Sequence, residues 1–378
     1  MRVSASISFG VATLLVAAMP PIYAAPAADT AYASVDPFIG TGSGGHTYPG
    51  ATVPFGMIQL SPDTAMPDFK HAYKWAAGYR YEDHSILGFS HTHFSGSGHS
   101  DLGDVLLMPG TGAVQLDPGD PDKPGSGYRS DFSHQTETAQ PGYYAVTLAT
   151  SNVRVELTAG KRIGWHRYTF PADQTAHVLL DLRPSIYDYP GKVLWSRLRV
   201  RADGTASGYR ETRGWAPGRQ LYFAIRFSQP MQAHELVNRE QDIPYKGFKG
   251  PAADPSSIDA VAGKQLEGAF EFGKLSKPLL VKVAISTVSE TNAIANLDAD
   301  GAGWDFDAHR AEARKAWEQA LSAIDIKAPD DVRKNFYTSM YHALLAPNLA
   351  MDVNGEYRGP DYEVHKSKGF TFYSTWSL

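Results

Sequence analysis

The chain has 378 residues, no cysteine and a formal net charge of -5, and 20% of its residues are charged. This balance is typical of a globular protein, and a chain of this length usually divides its core between two domains. No run of lysine and arginine supplies the cluster that nucleic acid or an anionic membrane surface would need. Both are therefore excluded as main partners.

The first 25 residues have the features of a secretory signal peptide. Arg2 provides the positive start, residues 7–19 form an apolar core, and the small residues around Ala24 and Ala25 offer a cleavage site. An apolar run of about thirteen residues is shorter than the roughly 20 that span a bilayer, although a retained anchor stays open as an alternative. Since an exported chain without cysteine cannot form disulfides, we expect a protein of the bacterial periplasm or cell surface, with no membrane span after cleavage.

Residues 34–295 are predicted to form a mainly β domain. Several β-branched or aromatic runs alternate apolar with polar residues and are separated by glycine, proline, asparagine or aspartate. These runs cover residues 143–149, 153–159, 166–170, 177–182, 221–227 and 278–286. Because no helical pattern lies between successive runs, the sequence favours a large antiparallel sandwich over βαβ units.

The hydrophobic period changes to that of helices near residue 296. Residues 296–328 are predicted to form a helical linker with one apolar face. The side chains expected on this face are Phe306, Ala313, Trp317, Leu321 and Ile324.

A second helix is predicted from residue 329, with Asp330 or Asp331 as its N-cap and Pro347 just after its end. The side chains expected on its apolar face are Val332, Phe336, Met340 and Leu344. The last ten residues form an aromatic run, whereas a natural C-terminus is usually more polar. We therefore expect an incomplete helical domain over 329–378.

Residues 88–104, GFSHTHFSGSGHSDLGD, concentrate polar side chains among glycines. His91 and His93 would share one face of a strand, as zinc ligands often do, but a third ligand from His99, Asp101 or Asp104 would require a sharp turn. The stretch also lacks the Asp-His continuation of the H-x-H-x-D-H motif. Three interpretations stay open: a metal site, a structural corner capped by serine and aspartate, and a polar rim that faces a ligand.

Two further stretches bear on this choice. Residues 35–64 are rich in glycine, but they lack the lysine and the strand–loop–helix context of a phosphate-binding loop. Residues 74–83 place Trp75, Tyr79 and Tyr81 among polar residues. The tryptophan is either a core residue or a platform on which a sugar stacks.

Together these stretches resemble glycoside hydrolase family 92, the calcium-dependent exo-acting α-mannosidases. The matching segments are VDPFIGTG, GHTYPGATVPFGMIQLSPDT, GYRYED, GFSHTHFSGSG and DLGDVLLMPG, followed by HRYTFP, GWDFD, FYTSMYHALLAPNL and GFTFYSTWSL. They occur in the family's order between residues 34 and 378, which makes the resemblance specific for the family and less specific for the linkage cleaved.

The resemblance implies a fold and a division of the chain. It implies a β-supersandwich over 34–295, a helical linker over 296–328 and the opening of an (α/α)6 catalytic barrel over 329–378. The catalytic carboxylates and most calcium ligands are then expected beyond residue 378. No residue of this chain is assigned as catalytic or as a metal ligand.

The same resemblance implies an exo-acting, inverting α-mannosidase for α-mannosides of N-glycan or mannan type, with Ca²⁺ as cofactor and a mannose-containing oligosaccharide as partner. The residues expected near the substrate are His46, Trp75, Tyr79, His91, His93, Asp101, Asp104 and Trp376. His99 stands where the family usually has a small residue, which further weakens a zinc site. The alternatives are a non-catalytic carbohydrate-binding sandwich and another hydrolase or phosphorylase of the same build. The linkage and the oligomeric state stay open.

Overall fold

The structure, a computed structural model, describes residues 30–64, 77–96, 101–123, 125–186, 188–216, 218–240 and 256–374. The fold of these residues is built on two antiparallel sheets. Numbered in chain order, the strands of the smaller sheet are β1 (Ser61–Asp63), β3 (Gly88–Ser90), β4 (Leu106–Thr111), β10 (Thr175–Asp181), β14 (Ala233–Asn238) and β16 (Leu266–Lys274). Their spatial order is β1-β3-β4-β10-β16-β14.

The larger sheet has nine strands in the described residues. They are β6 (Thr138–Gln140), β7 (Tyr143–Leu148), β8 (Val153–Ala159), β9 (Ile163–Thr169), β11 (Val193–Arg201), β12 (Ala206–Thr212), β13 (Arg219–Phe227), β15 (Ser257–Gly263) and β17 (Leu279–Ser286). Their spatial order is β15-β11-β12-β13-β17-β9-β8-β7-β6. Short pairs join β2 (Ser85–Ile86) to β5 (Ser130–Asp131), β18 (Asn348–Leu349) to β21 (Tyr373–Ser374), and β19 (Glu356–Arg358) to β20 (Val364–Lys366).

The two sheets pack face to face around one apolar core. In β8, Val153, Val155 and Leu157 are buried while the residues between them are partly exposed. They share the core with Val178 and Leu180 of the smaller sheet. Each fully buried aliphatic side chain of this kind stabilises the fold by about 1.5–3 kcal/mol. The predicted mainly β domain is confirmed, and the six predicted runs coincide with β7, β8, β9, β10, β13 and β17.

The helices of the described chain are α1 (Glu290–Asp300), α2 (Phe306–Leu321) and α3 (Asp330–Ala343), and a short 3₁₀ helix spans His134–Thr136. The predicted start of the helical segment at 296 falls inside α1, because the Ser289 side chain already caps that helix at the Asn292 amide. The predicted apolar face of α2 is confirmed at Phe306, Ala313, Trp317 and Leu321, which are buried. Ile324 was wrongly placed on this face, since it follows the helix and is 49% exposed.

The apolar face of α3 is turned by one residue from the predicted one. Its buried residues are Arg333, Tyr337, Thr338 and Tyr341. The predicted Phe336, Met340 and Leu344 only border the core, and Val332 is 47% exposed. The reason is aromatic packing, because the Tyr341 ring lies 4.6 Å from the ring of Trp317 on α2.

The start of α3 also differs from the prediction. Pro329 is its N-cap and provides no side-chain hydrogen bond, while Asp330 and Asp331 lie in the first turn. Their carboxylates stabilise the N-terminus of the helix by interacting with the helix dipole, and not by capping it.

No helix within the described part of the chain is long and apolar enough to cross a bilayer. The predicted signal segment, residues 1–25, lies outside the described residues.

Candidate functional site

Loops from both sheets meet at one end of the nine-stranded sheet. β13 begins at this end and β17 finishes there, because Tyr222 pairs with Ser286. The connection between β12 and β13 passes against Asp101 so closely that a Cβ on Gly214 would lie 1.6 Å from the carboxylate oxygen Oδ1. The Ser286 hydroxyl also donates to Asp352 over 2.7 Å. The β12–β13 loop, the end of the 88–104 stretch and the last described segment of the chain therefore share one end of the fold.

Three ion pairs fix the acidic residues of that stretch. Asp101 accepts a 2.5 Å hydrogen bond from Lys192 Nζ and a 3.0 Å bond from the Ala216 amide. Asp104 lies 3.0 Å from Arg210 Nη1 and 2.9 Å from Arg219 Nη2. Both carboxylates are buried. We call Asp101, Asp104, Lys192, Arg210 and Arg219 the polar corner.

Electrostatics keep Asp104 ionised although it is buried. Burial alone would raise its pKa, but Arg219 and Arg210, together with the Thr92 hydroxyl, lower the pKa of this carboxyl to about 2. The Thr92 hydroxyl donates to Asp104 Oδ2 over 2.6 Å. A carboxylate held in this way is a structural anchor and not a proton donor at neutral pH.

His91 lies inside the sandwich. Its Nδ1 is 2.7 Å from the Val105 carbonyl, which can only accept, so Nδ1 donates and Nε2 is left as the acceptor. That Nε2 lies 2.9 Å from Nε2 of His166, whose Nδ1 lies 2.8 Å from the Tyr168 hydroxyl. Burial lowers the pKa of His91 to about 3, so the ring is neutral. Both of its nitrogens are occupied by the protein, and its contact with substrate stays a prediction.

His93 points in a different direction from His91. Its Nδ1 lies 2.8 Å from the Gln59 carbonyl and its Nε2 lies 2.8 Å from Asp63 Oδ1. The Tyr48 ring is 5.3 Å from the imidazole. Within the described ranges, no three side chains of His, Cys, Asp or Glu converge in a way that could hold a metal ion. Of the three interpretations of the stretch, the described geometry favours a structural corner.

The remaining predicted site residues are Tyr79, His46, Trp75 and Trp376. Tyr79 is buried, and its hydroxyl donates to both oxygens of Glu137 at 3.0 and 3.1 Å. His46 is half-buried, its carbonyl accepts from the Gly96 amide over 2.8 Å, and its Nδ1 has no hydrogen-bond partner among the described residues. Trp75 and Trp376 lie outside the described residues.

Residues that the sequence did not single out complete this end of the fold. Trp215 in the β12–β13 loop is 74% exposed. Tyr189 donates its hydroxyl to the Arg213 carbonyl over 2.8 Å, and Lys192 Nζ lies 5.3 Å from its ring centre. Burial raises the pKa of the neighbouring Asp188 carboxyl. The exposed Trp215 ring therefore presents a flat apolar face beside buried ionic groups at this end of the fold.

Asp352 is a buried carboxylate near the same end, and carboxylate oxygens are ligands of the kind that calcium prefers. Its carboxylate accepts from the side chains of Ser286, Asn292 and Asn296 at distances of 2.7, 2.8 and 2.6 Å. Burial raises the pKa of this carboxyl. Neutral donors already occupy its oxygens, so this group does not fit a calcium ion, which needs six to eight oxygen ligands.

The comparisons with known proteins agree with this architecture. Residues 34–286 match the glycosyl hydrolase family 92 N-terminal domain, and residues 292–378 match the glycosyl hydrolase family 92 catalytic domain. The chain therefore belongs to glycosyl hydrolase family 92. An uncharacterized secreted glycosidase of Arthroderma benhamiae is 25% identical over an alignment of 347 residues, and the match covers 85% of this chain and 42% of the relative.

Solved structures extend the comparison. A family GH92 α-mannosidase from Bacteroides thetaiotaomicron, in complex with mannoimidazole, is 38% identical, with a TM-score of 0.83 over 93% of this chain and 44% of that one. An inverting mannosidase of the same family and organism is 23% identical with a TM-score of 0.72, which shows the shared fold; the match covers 93% of this chain and 44% of that one. The chain thus spans less than half the length of these relatives.

Proposed function

We propose that the complete protein is an exo-acting, inverting α-mannosidase of N-glycan or mannan substrates. The observation that carries this proposal is the match to a family α-mannosidase at 38% identity over 93% of this chain. An inverting glycosidase needs one carboxylic acid to protonate the leaving oxygen and one carboxylate to activate water on the opposite face of the sugar. The buried and paired Asp101 and Asp104 are unsuited to either role. We assign both catalytic carboxylates to residues outside these 378.

Calcium belongs to this proposal as the cofactor, with its ligands outside the described residues. The resemblance of the sequence to the family supports calcium as the cofactor. The oxygens around Asp352 do not fit the ion, so they are not proposed as its ligands. The (α/α)6 architecture of the catalytic domain and the export of the protein to the periplasm or cell surface are proposals of the same kind. Export is supported by the relative from Arthroderma benhamiae, whose name calls it secreted.

The end of the sandwich that carries the polar corner is proposed to face the leaving-group sugar. Its buried ion pairs hold the backbone of the loops rigidly, and Trp215 presents an exposed ring beside them. The segment 348–374, which lies in the catalytic-domain match, meets the same end through Asp352. A sugar between the two domains would then contact side chains from both.

Trp215→Ala in the complete protein is expected to lower kcat/KM by about tenfold, which is about 1.4 kcal/mol, because a stacked aromatic face is lost. The melting temperature should change little, since the ring is 74% exposed. Trp304→Ala is the matched control, because Trp304 is also exposed, at 38%, and lies in a different part of the chain, just before α2. Equal losses of kcat/KM in both variants would contradict a sugar contact at Trp215.

The activity is tested with the protein encoded by the complete reading frame. We expect it to release mannose from the non-reducing end of α-mannobiosides, to lose activity with a calcium chelator and to regain it with added calcium. Assays with α-mannobiosides of different linkages then identify the linkage that the enzyme prefers. Binding of α-mannosides without any release of mannose would favour the carbohydrate-binding alternative instead.

A further inference from the structure

Two buried carboxyl groups lie side by side on the smaller sheet, at the end of β10 that leads to the polar corner. Asp181 of β10 pairs directly with Glu267 of β16, so the two side chains project from the same face of the sheet. The Asp181 side chain is 1% exposed and the Glu267 side chain is 0% exposed. Arg183 lies between them, because its Nη2 is 2.7 Å from Asp181 Oδ2 and 2.7 Å from Glu267 Oε1. One guanidinium group therefore binds both carboxyl groups.

The hydrogen-bond donors around this pair are too few for two charges. Arg183 Nη2 carries two protons, yet three oxygens lie within 2.9 Å of it, since the Leu116 carbonyl is the third. Asp181 also accepts from Arg183 Nε and the Arg183 amide, both at 2.9 Å, and from the Tyr128 hydroxyl at 2.8 Å. Glu267 lacks such donors, because its Oε2 accepts no hydrogen bond from the described residues. Glu267 is therefore the member of the pair that is stabilised by holding a proton.

A second arginine compensates the charge of Glu267 only in part. Arg239 Nη1 lies 3.7 Å from Glu267 Oε2, which is too far for a hydrogen bond. Its Nη2 donates instead to Asp117 over 2.7 Å. Since the Arg239 side chain is 30% exposed and the Asp117 side chain is 71% exposed, this pair is accessible to water. Arg239 therefore does not replace the proton on Glu267.

Charged and titratable groups face Glu267 from each element that packs against it. They are Asp181 and Arg183 at the end of β10, Asp117 and Tyr128 in the connection after β4, and Arg239 after β14. Burial and the Asp181 charge raise the pKa of Glu267 to about 7, against the lowering effects of Arg183 and Arg239. Burial also raises the pKa of Tyr128 well above its ordinary value, so its hydroxyl remains a donor to Asp181 at neutral pH.

The backbone that follows Arg183 leads directly to the polar corner. Arg210, a member of that corner, donates from Nη2 to the Pro184 carbonyl over 2.7 Å. The Ile186 amide donates to the Leu102 carbonyl over 2.9 Å. The segment 183–186 is therefore held by the carboxyl pair at one end and by the polar corner at the other, so a movement of Arg183 affects both.

We propose that Asp181, Arg183 and Glu267 form a pH-sensitive latch at the end of β10: Arg183 holds both carboxyl groups while Glu267 carries a proton, and the latch loosens when that proton leaves. The latch belongs to the fold and does not depend on the proposed function. Its sign follows from the pKa of Glu267, which is about 7 in the fold and 4.5 ordinarily. The stability that the proton contributes is complete below about pH 4.5, falls as the pH rises, and is lost above about pH 7.

Glu267→Gln tests the latch, because glutamine keeps the shape of the protonated acid and cannot ionise. Protection against hydrogen exchange is measured in the complete protein and corrected for the intrinsic exchange rate at each pH. The most protected amides of β10 and β16 report the unfolding equilibrium of the sandwich, and the amides of residues 182–186 report the latch itself.

We compare the protection factors of Glu267→Gln with those of the wild type. Between about pH 4.5 and about pH 8.5, their ratio should rise by about a hundredfold in β10 and β16, because only the wild type loses the proton. In residues 182–186 it should rise by about tenfold or more. Glu271→Gln is the matched control, because Glu271 lies on the same strand and is exposed. Its ratio to the wild type should stay within about twofold across this range.

Infrared spectroscopy detects the proton directly. The difference spectrum between wild type and Glu267→Gln should show the C=O stretch of a protonated carboxyl group at about pH 6, and this band should be gone by about pH 8.5. Asp181→Asn removes the neighbouring charge, so the wild-type band should titrate at lower pH in this variant; this comparison decides if Glu267→Gln does not fold. A protection ratio that does not change with pH, or the absence of the band at about pH 6, would overturn the latch.

Discussion

Replacement of Asp104 by asparagine is expected to destabilise the protein by about 3–5 kcal/mol, because it leaves buried cations without their counter-charge. Arg210 is entirely buried, and Arg219 is 12% exposed. The asparagine preserves the shape of the side chain, so the loss isolates the effect of charge. The shift in the urea unfolding midpoint of the complete protein measures it.

The pH dependence of this effect follows from the lowered pKa. A carboxyl with a pKa of about 2 in the fold and 3.8 ordinarily contributes stability that is present above its ordinary pKa and is lost as the pH falls through about 2. The difference between wild type and Asp104→Asn should therefore shrink in strong acid. Asp122→Asn serves as control, because this side chain is 83% exposed and should change stability by less than about 0.5 kcal/mol. A loss at Asp104 that is as small as the loss at Asp122 would show that the ion pairs do not anchor the corner.

Trp317→Ala is expected to cost about 3–5 kcal/mol, because it removes a large buried ring and leaves a cavity. Trp317 on α2 is entirely buried against Tyr341 of α3, and its Nε1 donates to the Thr52 carbonyl over 2.6 Å. This side chain therefore joins both helices to the first glycine-rich segment of the sandwich.

Trp317→Phe separates packing from the hydrogen bond. It keeps most of the apolar volume and leaves the Thr52 carbonyl without its donor, which should cost about 1–3 kcal/mol. The order of the unfolding midpoints is expected to be wild type, Trp317→Phe, Trp317→Ala. A midpoint for Trp317→Ala close to that of the wild type would contradict a common core of helices and sandwich.

The strands and the α2 face could be predicted because the burial of each side chain follows a local period. In β8 and α2 the residues inside the core recur with periods of two and of three to four along the chain. The face of α3 could not be found in this way, because Tyr337 and Tyr341 have polar hydroxyls and are still buried, Tyr341 against the ring of Trp317. Their burial depends on a partner from another helix.

The partners of the site residues could not be predicted either, because they also come from distant parts of the chain. Asp101 and Asp104 stand out in a glycine-rich stretch, but their partners Lys192, Arg210 and Arg219 come from strands and loops about a hundred residues away. Only the pairing of β11, β12 and β13 brings these cations to one end of the sheet. No local spacing encodes such a pairing, and His91 likewise meets His166 across the sandwich.

The anomeric form of the first product tests the central claim most directly. The complete protein is added to an α-linked mannobioside, and the released mannose is followed by proton NMR before its anomers equilibrate. An inverting exo-α-mannosidase releases β-mannose first, with the α-anomer appearing later by mutarotation. Initial release of α-mannose, or release of an internal oligosaccharide without mannose, would contradict the account.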